Sequence, residues 1–318
     1  VSTEIETKSV EVRTPKKKKR VEQRLNGAAR FRKPWVPWLW VGLPIAAMLL
    51  FYIYPFINTI VTSFTHTRPL GSMGPFNGVK NYQYIFGDDV FWQAVGNSLI
   101  YALVVVPLMV FLPLLLALLV RTNVPGIGFF RAMFYIPAVC SLVVISIAWR
   151  FLLDQQGPIN NFLRGIGLLE NSIPFLSNRW LILFCAMLIT LWQGLPYYMI
   201  LYLSALVNID DSLYEAAELD GAGPVRRFFT VTVPGVRIMM YLVGVLCLIG
   251  SLKIFTEVYL LGGDNSPTKT ITMYIRDQIQ DPTFGSLGRG TAASVFLFLI
   301  TFGFILLSQR IQSKAENE

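Results

Sequence analysis

Six stretches of this chain are apolar for long enough to cross a lipid bilayer: residues 38–64, 94–120, 132–148, 180–206, 238–252 (continuing towards 261) and 291–308. A helix needs about 20 such residues to span a hydrocarbon core. The runs are apolar on every side and do not alternate in segments of about ten, so they are helices and not barrel strands. Only 14% of the residues are charged, where soluble chains carry about a quarter. Arg150 and Lys253 stand just past the third and fifth runs. The first run exceeds the roughly 7–15 residues of a signal-peptide core and follows a long basic segment, so it is expected to be a retained span. The expected fold is all-α, with six transmembrane helices.

An even number of spans places both termini on one side of the membrane. With that side cytoplasmic, 18 of the 27 Lys and Arg residues fall inside and 9 outside, which obeys the positive-inside rule. The excess rests on the tail: Arg13, Lys16, Lys17, Lys18, Lys19, Arg20, Arg24, Arg30, Arg32 and Lys33 all precede the first span. The segment from Pro15 to Val21 has the composition of a nucleic-acid patch. Beside six spans it is expected to anchor topology and meet anionic membrane lipid, at about 1 kcal/mol per basic residue, with no nucleic acid as partner. This divides the chain into a basic cytoplasmic tail (1–37), a six-helix domain (38–310) and a short cytoplasmic end (311–318). Trp35, Trp38, Trp40, Phe91 and Trp92 flank spans one and two as interfacial anchors.

Cys140, Cys185 and Cys247 lie inside predicted spans, where they act as small packing residues. With His66 the only histidine, no metal site is expected. None of the apolar cores holds an Asp, Glu, Lys, Arg or His, so no proton relay of the kind pumps retain is expected. Lys253 and Glu257 come nearest, spaced for a local ion pair on one helix face. Two polar, kink-prone segments stand out. Gln193-Gly194 with Pro196-Tyr197 is expected to break span four, and Cys247, Gly250 and Ser251 give span five a small polar stripe. A broken helix frees carbonyls that water, a neighbour or a ligand must satisfy. Tyr, Trp and Gln there suit a neutral polyhydroxylated solute, although plain helix packing accounts for the same residues. No phosphate-binding or dinucleotide loop and no nucleophile elbow occurs, so the chain is not expected to be an enzyme.

Between spans four and five, residues 207–237 form a polar loop. Ser212 and Glu215 have the spacing of a capping box, and Asp210 and Asp211 add charge favoured at a helix N-terminus. Gly221 stops the helix, Pro224 starts a second one and Pro234 closes the unit. Two capped helices of this kind suit docking of a soluble partner.

Glu215-Ala216-Ala217, Gly221, Val231 and Val233-Pro234 also resemble, over twenty positions, the signature loop of bacterial ABC importer permeases, with Val at both aliphatic positions where Ile and Leu are usual. Further likenesses are Gly78 to Tyr82, Phe134 to Pro137, Trp192 to Tyr197, and Phe255 to Tyr259 with Gly262-Gly263. In these the chain resembles the carbohydrate-uptake branch, the maltose and glycerol-phosphate type. It departs where relatives continue Gly-Gly-Pro, because Asp264-Asn265-Ser266 precede Pro267.

The resemblance implies a type I importer permease fold in a prokaryotic cell membrane. It implies a second permease, two cytoplasmic ATPase subunits that bind ATP and Mg, an extracytoplasmic solute-binding protein, and a sugar, polyol or glycerol-phosphate-like solute. This chain itself would bind no cofactor. Glu215, Ala216, Ala217, Asp220, Gly221 and Pro234 would couple to the ATPase, and Gln193, Gly194, Tyr197, Cys247 and Ser251 would face the solute. An ion-coupled secondary carrier and a non-transporting scaffold remain the alternatives on residues alone.

Overall fold

The computed structural model describes residues 35–69, 71–121, 126–264 and 267–317. The basic residues of the tail and Asn265-Ser266 lie outside the described residues. The chain divides into two units, Val1–Asn58 and Thr59–Glu318.

In the first unit, α1 (Val36–Met48) passes into a π turn at Leu49–Ile53 and continues as α2 (Tyr54–Ser63), which runs on into the second unit. The amide of Tyr54 bonds the carbonyl of Leu49, five residues back. Pro55 follows at once and can neither donate to nor sterically tolerate the carbonyl four residues before it. The wider turn absorbs that conflict. The same pairing of π turn and proline recurs at Phe228–Thr232 and Pro234.

The second unit begins with the last turns of span one and a short helix α3 (Lys80–Phe86), then builds around α4 (Asp89–Arg121). Next come α5 (Ile127–Val139), α6 (Leu142–Leu152), α7 (Pro158–Gly165) and α8 (Arg179–Leu206). A loop carries α9 (Asp211–Leu219), α10 (Pro224–Arg227) and α11 (Val233–Gly235). The chain finishes with α12 (Arg237–Leu252), α13 (Thr256–Gly262), α14 (Ile271–Gln280) and α15 (Ser286–Asn317). Among the described residues, five helical segments are long and apolar enough to cross a membrane, or six if the bent pair of α5 and α6 counts as one span.

Two expectations about breaks are reversed. The third run is not one helix: α5 and α6 meet at 99°. Cys140 and Ser141 are extended there, three residues after Pro137 has removed a helix hydrogen bond. Span four is not broken: α8 runs unbroken through Gly194 and Pro196. A single proline costs α8 one backbone bond, and the buried faces on both sides of it hold the helix together. Gln193 instead serves the neighbouring break, its amide donating to the carbonyl of Cys140 at 3.2 Å.

Helix α4 packs on α8 and α12 through one core in which Tyr101, Met109 and Leu114 meet Ala186, Ile189 and Tyr202. A second core joins Phe91 and Ala94 to Tyr274, Ala292 and Ala293. Lipid supplies no hydrophobic drive between spans, so small residues and interhelical hydrogen bonds hold them. Tyr202 donates to the carbonyl of Val110 at 2.9 Å. Fully buried Asn97 donates to the carbonyls of Lys269 (2.7 Å) and Pro267 (3.2 Å) and accepts from Arg179 Nε at 2.9 Å.

Candidate functional site

The loop after α8 carries α9 and α10 as a two-helix unit, closed by α11, beside the C-terminal end of α4. The N-cap of α9 is Asp210, whose carboxylate accepts the amide of Ser212 at 2.9 Å. The expected Ser212–Glu215 capping box does not form, because Ser212 is already the second residue of the helix. Asp is as good a cap as Ser, and its charge also meets the helix dipole. That amide holds the Asp210 carboxyl below the usual carboxylate range.

At the other end Gly221 has φ +75°. The amide of Ala222 bonds the carbonyl of Ala217 at 2.9 Å and that of Gly221 bonds Glu218 at 3.0 Å, the paired bonds of a Schellman motif. Arg227 binds Glu218 at 2.8 Å and so clips α10 to α9, while Tyr214 and Thr232 share a 3.0 Å hydrogen bond. Arg121, the last residue of α4, binds Asp211 at 2.7 Å. Glu215, Ala216, Asp220 and Pro234 are exposed, and Ala217 is half-buried. Around them Leu219 (90% exposed), Val225, Phe229 and Leu213 present apolar surface to solvent.

A cavity of about 300 Å³ opens between α4, α5, α8 and α12. All five residues expected to face the solute line it: Gln193, Gly194 and Tyr197 from α8, Cys247 and Ser251 from α12. The volume lies at the lower end of ligand sites. The lining also contains Val105, Met109, Tyr135, Ala138, Thr190, Tyr198 and Gly250, which the sequence reading did not single out as path residues. Helical spacing carried a signal for two of them. Thr190 stands three and four residues before Gln193 and Gly194, on the same face, and Gly250 stands beside Ser251 at the same register from Cys247. Nothing in the sequence pairs α8 with Tyr135, which reaches the cavity from the broken third span. Gly194 is a close-approach position, where an added Cβ would strike the Met109 methyl.

The expected Lys253–Glu257 ion pair is not made. The helix stops at Lys253 and restarts at Thr256, so the two residues never share a helix face. Glu257 turns inward, 4% exposed, and accepts from Thr190 Oγ1 at 2.8 Å. The span thus contains one buried carboxylate that the apolar cores, as drawn from the sequence, did not include.

Residues 84–316 match the family described as "Binding-protein-dependent transport system inner membrane component". The chain is 36% identical to the lactose transport system permease protein of Rhizobium radiobacter, over 75% of this chain and 81% of that one. It is 30% identical to the arabinooligosaccharides transport system permease protein of Halalkalibacterium halodurans, over 84% of each. The fold is similar to a chain in the crystal structure of a bacterial ABC transporter involved in the import of the acidic polysaccharide alginate. There the TM-score is 0.78 at 21% identity, covering 93% of this chain and 99% of that chain. The protein belongs to this family: it is a non-catalytic inner-membrane permease subunit of a bacterial ABC transporter of the carbohydrate-uptake type.

Proposed function

We propose that the chain forms half of the translocation path for an oligosaccharide and takes its motion from cytoplasmic ATPase subunits seated on α9 and α10. The observation that carries this reading is the convergence of Gln193, Gly194, Tyr197, Cys247 and Ser251 on one cavity, which meets α4 at mid-helix, while the exposed two-helix unit meets its last residue, Arg121. Amide, hydroxyl and aromatic groups in that lining match the hydroxyls and C–H faces of a sugar. Relatives named for lactose and arabinooligosaccharides support the class, ahead of a polyol or glycerol phosphate.

The remaining parts of the assembly are a second permease, two ATPases binding ATP and Mg, and an extracytoplasmic binding protein. A neighbouring structure of similar fold is described as in complex with an alginate pentasaccharide-bound periplasmic protein. On this reading Glu215, Ala216, Ala217, Asp220, Gly221 and Pro234 form the ATPase contact, both termini are cytoplasmic, and residues 1–37 are a topology tail. Proteoliposomes holding the two permeases and the ATPases, supplied with the binding protein, should take up labelled oligosaccharide only with ATP inside the compartment that faces α9. Uptake by this chain alone, driven by an ion gradient, would show the reading to be wrong.

A further inference from the structure

Glu257 lies one hydrogen bond behind the cavity wall. It is buried, and among the described residues no cationic side chain stands within ion-pair distance of it. Thr190, which lines the cavity, gives its only proton to Glu257 Oε1 at 2.8 Å. On its other side Thr190 Oγ1 lies 2.6 Å from the hydroxyl of Tyr101, whose single proton is shared between Thr190 and the carbonyl of Ala186, 3.1 Å away.

A hydroxyl has one proton and two lone pairs. With the proton committed to Glu257 and Tyr101 alongside, what Thr190 still offers the cavity is a lone pair. It can accept from a solute O–H and cannot donate to a solute oxyanion. No Lys or Arg lines the cavity to offset this.

We propose that Glu257, acting through Thr190, is a specificity-determining positioning residue that makes this path select neutral polyhydroxylated solutes over anionic ones. The proposal rests on the cavity being the solute path. Replacement by Gln puts an amide donor beside Thr190. The threonine can then accept from that amide and turn its own proton to the solute, a hydrogen bond to a charged group that the native wall denies.

The test uses the full reconstituted transporter with its binding protein. The probes are the neutral oligosaccharide that it imports and the aldonate made by oxidising that sugar's reducing end. The same binding protein serves every variant, so its own preference cancels when uptake ratios are compared. E257Q should raise the ratio of aldonate to neutral uptake by about tenfold, the low end for one hydrogen bond gained to a charged group, mainly through a lower KM for the aldonate. T190V removes the hydroxyl, and E257Q added to T190V should change the ratio no further.

An unchanged ratio in E257Q overturns the proposal, and a full E257Q effect in the T190V background overturns the route through Thr190. Should E257Q fail to assemble, T190S and T190V carry the test. Ser keeps the hydroxyl and the wild-type ratio, Val shifts it towards the aldonate, and equal ratios in the two overturn the proposal. A wild-type complex that imports no neutral oligosaccharide removes the solute-path reading itself, a failure distinct from any change between variants.

Discussion

Gly221 and Asp210 hold the two ends of α9, by different physics. At Gly221 an added Cβ meets nothing within 4 Å, so space is not the constraint; φ +75° is. A β-branched residue in that conformation costs about 1–2 kcal/mol. Gly221→Val should therefore unpick the Ala222–Ala217 and Gly221–Glu218 bonds and abolish co-purification of the ATPase, with membrane insertion intact. Gly221→Asn, which tolerates this backbone region, should retain co-purification.

Asp210 acts through charge. Its carboxyl is depressed by the amide of Ser212, so its contribution is complete above the unfolded Asp value and is lost as pH falls through the depressed one. The cap should survive mild acid and fail only below the ordinary carboxylate range. Amide exchange at Ser212 measured against pH checks this. Asp210→Asn should remove the pH dependence and keep protection, and Asp210→Ala should lose protection at every pH.

Among the helices, tertiary ties concentrate on a few polar side chains, and Asn97 is one of them, bonded to three residues far away in the chain. Replacing it with Ala takes a partner from the Lys269 carbonyl and the Arg179 guanidinium, while Gln93 still donates to Pro267 at 3.2 Å, at a cost of about 1–3 kcal/mol. The expected result is a lower midpoint of thermal unfolding in detergent, against little change for Ser204→Ala, whose hydroxyl bonds only its own helix.

The contrast between Asn97 and the apolar runs also shows what was legible beforehand. Span positions and the capped loop could be read because hydropathy and capping are local properties of the chain. The cavity face of α8 was legible for the same reason, as residues 193, 194 and 197 share a 3.6-residue period. What stayed hidden depended on a second segment. The break moved from Pro196 to Cys140–Ser141 because the packing around each proline decides whether the helix recovers. Glu257 was paired with its sequence neighbour Lys253, whereas a turn at residues 253–255 sends it to Thr190 on α8. The cap went to Asp210 in place of Ser212 because both residues satisfy the same rule and only backbone geometry separates them.

Across the molecule, α4 reaches both candidate sites without being joined to the loop through the adjacent backbone, as α8 and α12 are. Val105 and Met109 line the cavity, and Arg121 at its end grips Asp211 in the first turn of α9. At 1.5 Å per residue the cavity contacts lie about 18–24 Å from that grip. The chain already joins α9 to α8 and α10 to α12 through its backbone, so on the proposed function the Arg121–Asp211 pair is an added side-chain link that would pass motion of α9 to the third wall of the cavity. Arg121 also lies over the Tyr214 ring at 5.3 Å, so one side chain contacts two consecutive turns of α9. Asp211 is largely exposed, and exposed pairs contribute only about 0.2–1 kcal/mol. Coupling should then fall without collapsing: Arg121→Glu should lower solute-stimulated ATPase activity of the assembled transporter by up to about fivefold, while ATPase co-purification persists. The exchange Arg121→Asp with Asp211→Arg restores opposite charges and should recover most of the stimulation. Equal stimulation in the wild type and Arg121→Glu would mean that α4 follows α9 through the backbone alone.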